Sequence, residues 1–325
     1  MAKPKVGLYW CASCGGCEEA VVDLAEDILT VAQAIDIVLW PVAMDFKYKD
    51  VEAMQDGEIA ATLINGAIRT DEQEHIAKLL RKKSQLIIAN GSCACLGGVV
   101  GLANFYKREN VLNRAYKEVP SVKNPKGVLP QTSTLESGKE LTLPAFHNTV
   151  KTLNQVIDVD YYIPGCPTTP EHIKNAIMAI LEGKLPPKGS VLADKKALCD
   201  VCSRKDSKPD KVRISGFKRV YETEWDPTKC FLDQQIICLG PVTRGGCGER
   251  CIKANMPCRG CFGPLDNVID QGAKAGSFLS SIIDSDDDEE IKKIADSIPD
   301  PAGLFYRYNL AASVLKGQTA GGSNE

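Results

Sequence analysis

The chain has 325 residues, of which 44% are hydrophobic and 25% charged, enough for two soluble globular domains. A net charge of -3 offers no broad attraction to nucleic acid or anionic lipid, and no apolar run approaches the length of a membrane span. The 14 cysteines against 3 histidines direct attention to sulfur chemistry. The opening MAKPKVGLYW has no apolar h-region, twin arginine or cleavage site, so the expected setting is a reducing cytoplasm, where disulfides are disfavoured.

In chain order, Val6 to Trp10 is a short apolar run ending in a turn. Glu18 to Gln33 then carries Ala20, Val21, Leu24, Ala25, Ile28, Leu29 and Ala32 at the spacing of one amphipathic helix. Ile35 to Trp40, Ala61 to Gly66 and Gln85 to Gly91 read as further strands. A helix over Asp71 to Lys82 opens under Thr70 as N-cap. Val159 to Ile163 is the last strand, followed by a helix from Pro170 to Leu181. Continuous apolar strands alternating with helices predict an α/β fold, a doubly wound, flavodoxin-like parallel sheet over residues 1–183. A linker at Gly183 to Gly189 precedes a smaller, irregular cysteine-rich domain over 190–325.

In a doubly wound sheet, ligands collect outside the carboxyl ends of strands. Three strand ends deliver cysteines: Cys14 and Cys17 in SCGGC, Cys93 in NGSCACLGG and Cys166 in IPGCPTTP. Four thiols expected on one sheet edge suit a four-iron cluster. Cys11 and Cys95 lie beside these positions and read as buried structural thiols. Gly97, Gly98 and Gly101 resemble a phosphate loop only in glycine content, for no G-K-S/T follows. Glu18, directly after Cys17, has two readings: a carboxylate close enough to a cluster to tune it, or a helix-start residue facing water. His75, His147 and His172 have no partner motif, and no catalytic residue is assigned.

Residues Ser121 to Asn148 read as a long surface excursion, and Ser203 to Lys229 as a polar segment anchored by Trp225. Its Lys205, Lys208, Lys211, Arg213, Lys218 and Arg219 form a basic stretch able to steer an acidic partner, with a solvated loop as the plainer alternative. The most specific stretch is Cys230 to Cys261, with six cysteines, five glycines and two prolines. With Cys199 and Cys202 it supplies eight thiols, the complement of two four-iron clusters or of two zinc sites. It carries too few periodic apolar residues to predict a core of its own, so bound metal is expected to contribute folding energy. Val268 to Ile283 is weakly amphipathic. The acidic run Asp284 to Glu290 suits a helix start, and the final GQTAGGSNE is expected to be disordered.

Five motifs in order then resemble the small subunit of nickel-iron hydrogenases. They are W-x3-C-x2-C from Trp10, G-S-C-A-x2-G-G over Gly91 to Gly98, P-G-C-P over Pro164 to Pro167, C-x-G-P-x-T-x3-C over Cys238 to Cys247, and P-C-x-G-C over Pro257 to Cys261. The P-C-R-G-C-F-G-P run and D-Q-G-A-K at Asp270 to Lys274 are similar to the cytoplasmic F420-nonreducing, methyl-viologen-reducing type that works with heterodisulfide reductase. The resemblance implies three [4Fe-4S] clusters. It assigns a proximal one to Cys14, Cys17, Cys93 and Cys166, a distal one to Cys199, Cys202, Cys230 and Cys238, and a medial one to Cys247, Cys251, Cys258 and Cys261. It implies no catalytic residue here, hydrogen being split in a separate [NiFe] large subunit. It also implies delivery of electrons to a small iron-sulfur linker subunit and a heterodisulfide reductase-type flavoprotein complex. A complex I-like quinone oxidoreductase subunit and a zinc-stabilised structural protein stand as alternatives.

Overall fold

The computed structural model of the protein describes residues 3–316, so the GQTAGGSNE tail lies outside the described residues. Five strands form the main sheet: β1 (Lys5–Trp10), β2 (Asp36–Leu39), β3 (Ile59–Asn65), β4 (Ser84–Asn90) and β5 (Tyr161–Ile163). Their order is β2-β1-β3-β4-β5 and every pairing is parallel, the flavodoxin-like doubly wound arrangement. Register places Leu8 beside Leu63, Leu63 beside Ile88 and Ile88 beside Tyr161. Because side chains alternate across a strand, Leu8, Leu63 and Ile88 fill one core while Tyr9, Ile64 and Ile87 fill the other.

Helices cover both faces. Against the first core lie α1 (Gly16–Val22), α2 (Asp27–Ala34) and, later in the chain, α5 (Pro170–Leu181). Against the second lie α3 (Asp71–Lys83) and α4 (Gly91–Leu96). Local chemistry fixes the start of α3: Thr70 Oγ1 accepts from the Gln73 N–H at 3.3 Å, and Gln73 Oε1 accepts from the Thr70 N–H at 3.2 Å. Asp71, Glu72 and Glu74 in its first turn and Arg81, Lys82 and Lys83 in its last complement the helix dipole.

Two expectations are corrected, and one, the surface excursion, is borne out and extended. The single helix over Glu18 to Gln33 is two helices, because Ala25 adopts φ 51 and ends the α-helical path. The turn brings Val31 of α2 into the same core as Val21 of α1. The excursion over Ser121 to Asn148 contains a hairpin, Ser133–Glu136 with Lys139–Thr142, closed by Ser137 and Gly138, both at positive φ. Its end also begins the strand Phe146–Lys151, which pairs antiparallel with Ile68–Thr70.

The second correction concerns the cysteine-rich half, which does build a hydrophobic core. Ile214, Phe231, Leu232, Ile236, Leu239, Val242 and Ile252 pack with Leu279 of α6 (Gln271–Ser281) and Ile294 of α7 (Asp288–Asp296). These residues come from scattered loops, so no helical or strand period announces them. Asp287 caps α7 by accepting from the Glu290 N–H at 2.9 Å, as the acidic run suggested.

Candidate metal centres

The first group of thiols sits where the sheet directs it. Cys14 and Cys17 flank the turn from β1 into α1, with Gly15 at φ 86. Cys93 lies in α4 directly after β4, and Cys166 follows β5. Burial raises the Cys17 thiol to about 11, with Cys166 and Cys14 close enough to add to the rise. Burial likewise raises Cys93 to about 12, reinforced by Cys166, Cys17 and Cys14. The four expected residues are therefore neighbours. Space around them is kept by glycine: a methyl group at Gly91 would lie 2.3 Å from Cys17 Sγ, and one at Gly98 would lie 2.3 Å from Cys93 Sγ. Gly97 and Gly101 pack instead against Ala311, so the glycine-rich loop seats the returning end of the chain.

Cys199, Cys202, Cys230 and Cys238 form a second group. Burial raises Cys199 to about 12; Cys238 beside it adds to this, Lys208 opposes it, and Cys230 and Cys202 add further. Gly240 leaves room there, for a methyl group would stand 3.1 Å from Cys199 Sγ and 3.6 Å from Cys238 Sγ. The third expected set is Cys247, Cys251, Cys258 and Cys261; burial raises Cys258 well above the ordinary thiol value, with Cys238 the first thiol to add to the rise and Cys261 the next. Burial raises Cys251, with Cys247 nearby, and raises Cys261 to about 12 with Cys251 and Cys247 contributing.

The third group touches both others. The Cys258 N–H donates to Cys238 Sγ at 3.3 Å. Ser92 Oγ, beside Cys93, donates to the Cys261 carbonyl. His172 stacks edge-on against Phe262 at 5.2 Å, and its Nδ1 lies 2.8 Å from Thr169 Oγ1, which makes it part of the same seam.

The residues fit a metal that binds thiolate sulfur. All 14 cysteines are free, and burial raises most of the twelve thiols above the ordinary value, strengthening a preference for the protonated form that a bound cationic centre reverses. Among the described residues, no three His, Cys, Asp or Glu side chains close on a point that could hold a metal ion. The groups are thus neighbourhoods of thiols and not finished coordination spheres.

Cys11 and Cys95 are buried. Cys11 has only burial to raise its thiol, to about 12, whereas the Cys95 thiol donates to the Ala89 and Ile163 carbonyls at 3.4 and 3.5 Å. Glu18 does not face water. It is 5% exposed and accepts from Trp40 Nε1, and burial raises its carboxyl. Two buried arginines are not legible in the sequence. Arg204 lies over Phe231 at 4.3 Å and donates to Asn255 Oδ1 at 2.8 Å. Arg244 pairs with Asp266 and donates to the Asp194 carbonyl at 3.0 Å. Each follows a cysteine or glycine motif closely, but no local pattern marks a guanidinium as buried.

A flavodoxin-like sheet with thiols at its carboxyl edge, continued into a loop-built half with eight more, defines a class of redox-protein architecture. Residues 14–180 match the family described as NADH ubiquinone oxidoreductase, 20 Kd subunit. The chain is 42% identical over 316 residues to the F420-non-reducing hydrogenase iron-sulfur subunit of Archaeoglobus profundus, covering 96% of this chain and 97% of that one. It is 36% identical over 311 residues to the corresponding vhu F420-non-reducing hydrogenase subunit of Methanocaldococcus jannaschii, covering 96% of both. Its fold is similar to a solved [NiFeSe] hydrogenase from Desulfovibrio vulgaris Hildenborough, with TM-score 0.51 and 17% identity over 82% of this chain and 95% of that one. The chain belongs to the family of F420-non-reducing hydrogenase iron-sulfur subunits, and is a subunit of an oxidoreductase. No helix among the described residues is long and apolar enough to cross a membrane.

Proposed function

We propose that this chain is the electron-conducting small subunit of a [NiFe] hydrogenase. Cys14, Cys17, Cys93 and Cys166 would hold a proximal [4Fe-4S] cluster; Cys247, Cys251, Cys258 and Cys261 a medial one; and Cys199, Cys202, Cys230 and Cys238 a distal one. When bound, such clusters accept and release single electrons. The observation that carries the reading is the position of Cys258 and Cys261 between the other thiols: the Cys258 N–H donates to Cys238 Sγ, and the Cys261 carbonyl accepts from Ser92 Oγ, next to Cys93. That placement supports conduction in the order proximal, medial, distal.

The division of labour leaves hydrogen cleavage to a separate large subunit, docked near the proximal group. The domain division, residues 1–183 and 190–325, follows the thiol groups. All-cysteine ligation favours low potentials and hence a low-potential, cytoplasmic acceptor, a small iron-sulfur linker subunit leading to a heterodisulfide reductase-type flavoprotein complex. The match over residues 14–180 favours a second reading, a complex I-like quinone reductase subunit. Against it stand the eight cysteines beyond residue 180 and the relatives that match over 96% of the chain.

The test is anaerobic purification with the co-purifying subunit, followed by metal and sulfide analysis and hydrogen-dependent viologen reduction. About 12 iron and about 12 acid-labile sulfide per chain are expected. About 8 iron with bound zinc would remove one cluster assignment, and about 11 iron would mean a three-iron medial cluster and demote Cys251. A colourless, zinc-only protein would overturn the function.

A further inference from the structure

The basic stretch of Ser203 to Lys229 does not act as one patch. Arg213 pairs with Asp284 at 3.7 Å, and Lys208 stands near Cys199. Lys218 and Arg219 turn elsewhere, into a cleft of about 300 Å³ that they line with Arg259 and Arg307. Ile236, Ile237, Met256, Pro299 and Leu304 complete much of its wall.

Four cations converge here in a chain whose net charge is -3. Among the described residues none of the four has a carboxylate within ion-pair distance, although 15 such pairs form elsewhere. The one acidic wall residue, Asp300, is occupied in capping the helix Pro301–Phe305, where it accepts from the Gly303 N–H at 3.0 Å. Arg259 and Arg307 are both half-buried there. Such a group of guanidinium and ammonium ions is incomplete without anions. The rim suits a protein more than a small solute: Tyr221 is 75% exposed and Met256 45% exposed, and Arg219 is held over the Tyr221 ring at 5.8 Å with Nη1 3.0 Å from its hydroxyl.

The cleft also lies against the thiol groups. Of its wall residues, Arg259 follows Cys258 directly and Ile237 directly precedes Cys238. An acidic segment seated here would stand next to the junction of the second and third groups. We infer that this cleft docks an acidic segment of the protein that takes electrons from this chain, an inference that rests on the electron-transfer role proposed above. Carboxylates of the partner would pair with Lys218 and Arg219 at the rim and with Arg307 and Arg259 deeper in. Tyr221 and Met256 would meet its apolar surface.

The test uses the purified hydrogenase complex and a hexaglutamate peptide, followed by calorimetry at low ionic strength. Saturable binding is expected, weakening as salt is raised and falling about tenfold in the double variant Lys218→Glu, Arg219→Glu. The control double variant Lys126→Glu, Lys139→Glu, which places the same charge change on the surface excursion, should bind as the wild type does. No saturable binding to the wild type, or equal weakening in the control, overturns the inference. Binding of inorganic pyrophosphate without binding of the peptide also overturns it, in favour of a small-anion site. In hydrogen-driven reduction of the co-purifying acceptor protein, the cleft variant should raise KM about tenfold relative to the control. Failure of the wild type to pass electrons to any acceptor would strike the electron-transfer reading; an unchanged KM in the cleft variant would strike the docking site alone.

Discussion

The backbone N–H of Cys258 donates to Cys238 Sγ across 3.3 Å, tying two cysteines that are 20 positions apart and that are proposed to hold different clusters. An N–H aimed at sulfur favours the thiolate over the thiol, and it would do the same for a sulfur bound to metal. The bond also sets how closely the two groups approach. A backbone donor cannot be mutated away, so the side chains around it are the ones open to test.

The first concerns ligands against bystanders. Cys14→Ser, Cys17→Ser, Cys93→Ser or Cys166→Ser should each damage the proximal cluster, read as loss or alteration of its electron paramagnetic resonance signal. Cys11→Ser and Cys95→Ser should leave all three signals in place, because their thiols sit in the hydrophobic core under the sheet edge. Loss of the proximal signal in Cys11→Ser would show that the first motif has been assigned in the wrong register.

The second concerns space. A methyl group at Gly98 would meet Cys93 Sγ at 2.3 Å, and the residue stands at φ 59. Gly98→Ala should therefore displace Cys93 and lower proximal cluster content by more than half, measured as iron per chain. Gly138→Ala is the matched control: its φ of 75 is also positive, but nothing lies within 4 Å of the added methyl. The control isolates backbone strain, on the order of 1 kcal/mol, from the collision with sulfur.

The third concerns Glu18. Burial raises its folded-state pKa above the ordinary value of 4.5, while the Trp40 hydrogen bond opposes the rise. The folded state therefore keeps this proton to higher pH than the unfolded chain does. Its contribution to stability is complete below the ordinary value and is lost as pH rises through the folded value. Glu18→Gln retains an acceptor for Trp40 Nε1 and cannot ionise. Its advantage over wild type should be absent at low pH, grow through that window and then level off, as read from anaerobic melting midpoints. The same variant should raise the proximal potential, since a carboxylate beside Cys17 disfavours an added electron. A flat difference in melting midpoint across pH would mean that Glu18 is not ionising as its burial requires.

The fourth concerns Lys208. Its charge opposes the rise that burial and Cys238 impose on the Cys199 thiol. Charge reversal at Lys208 and Lys211 should slow hydrogen-dependent reduction of the natural acceptor more than that of viologen dye, by a few-fold and less so at high salt. Equal rates for variant and wild type with both acceptors would exclude these two lysines from docking.

Much of the fold and of the candidate site could be read from the chain itself, for local reasons. Apolar runs such as Leu86 to Ala89 can only be buried strands, Thr70 and Gln73 write a helix start within four residues, and a strand followed at once by a cysteine puts that thiol on the carboxyl edge. The glycines beside Cys17 and Cys93 were visible as glycines, though not as the gaps that keep sulfur uncrowded. Contacts between distant segments were decided only in three dimensions. Ala25 turns left-handed so that α1 and α2 reach one core, and Trp40 crosses from β2 to bury Glu18, a residue whose sequence position suited water equally well. The basic residues of Ser203 to Lys229 looked like one patch until Asp284, Cys199 and the Arg259–Arg307 cleft divided them. The core of the cysteine-rich half is the plainest case: its apolar residues sit in loops with no period, and burial there is set by which segments meet, a property that no window of sequence contains.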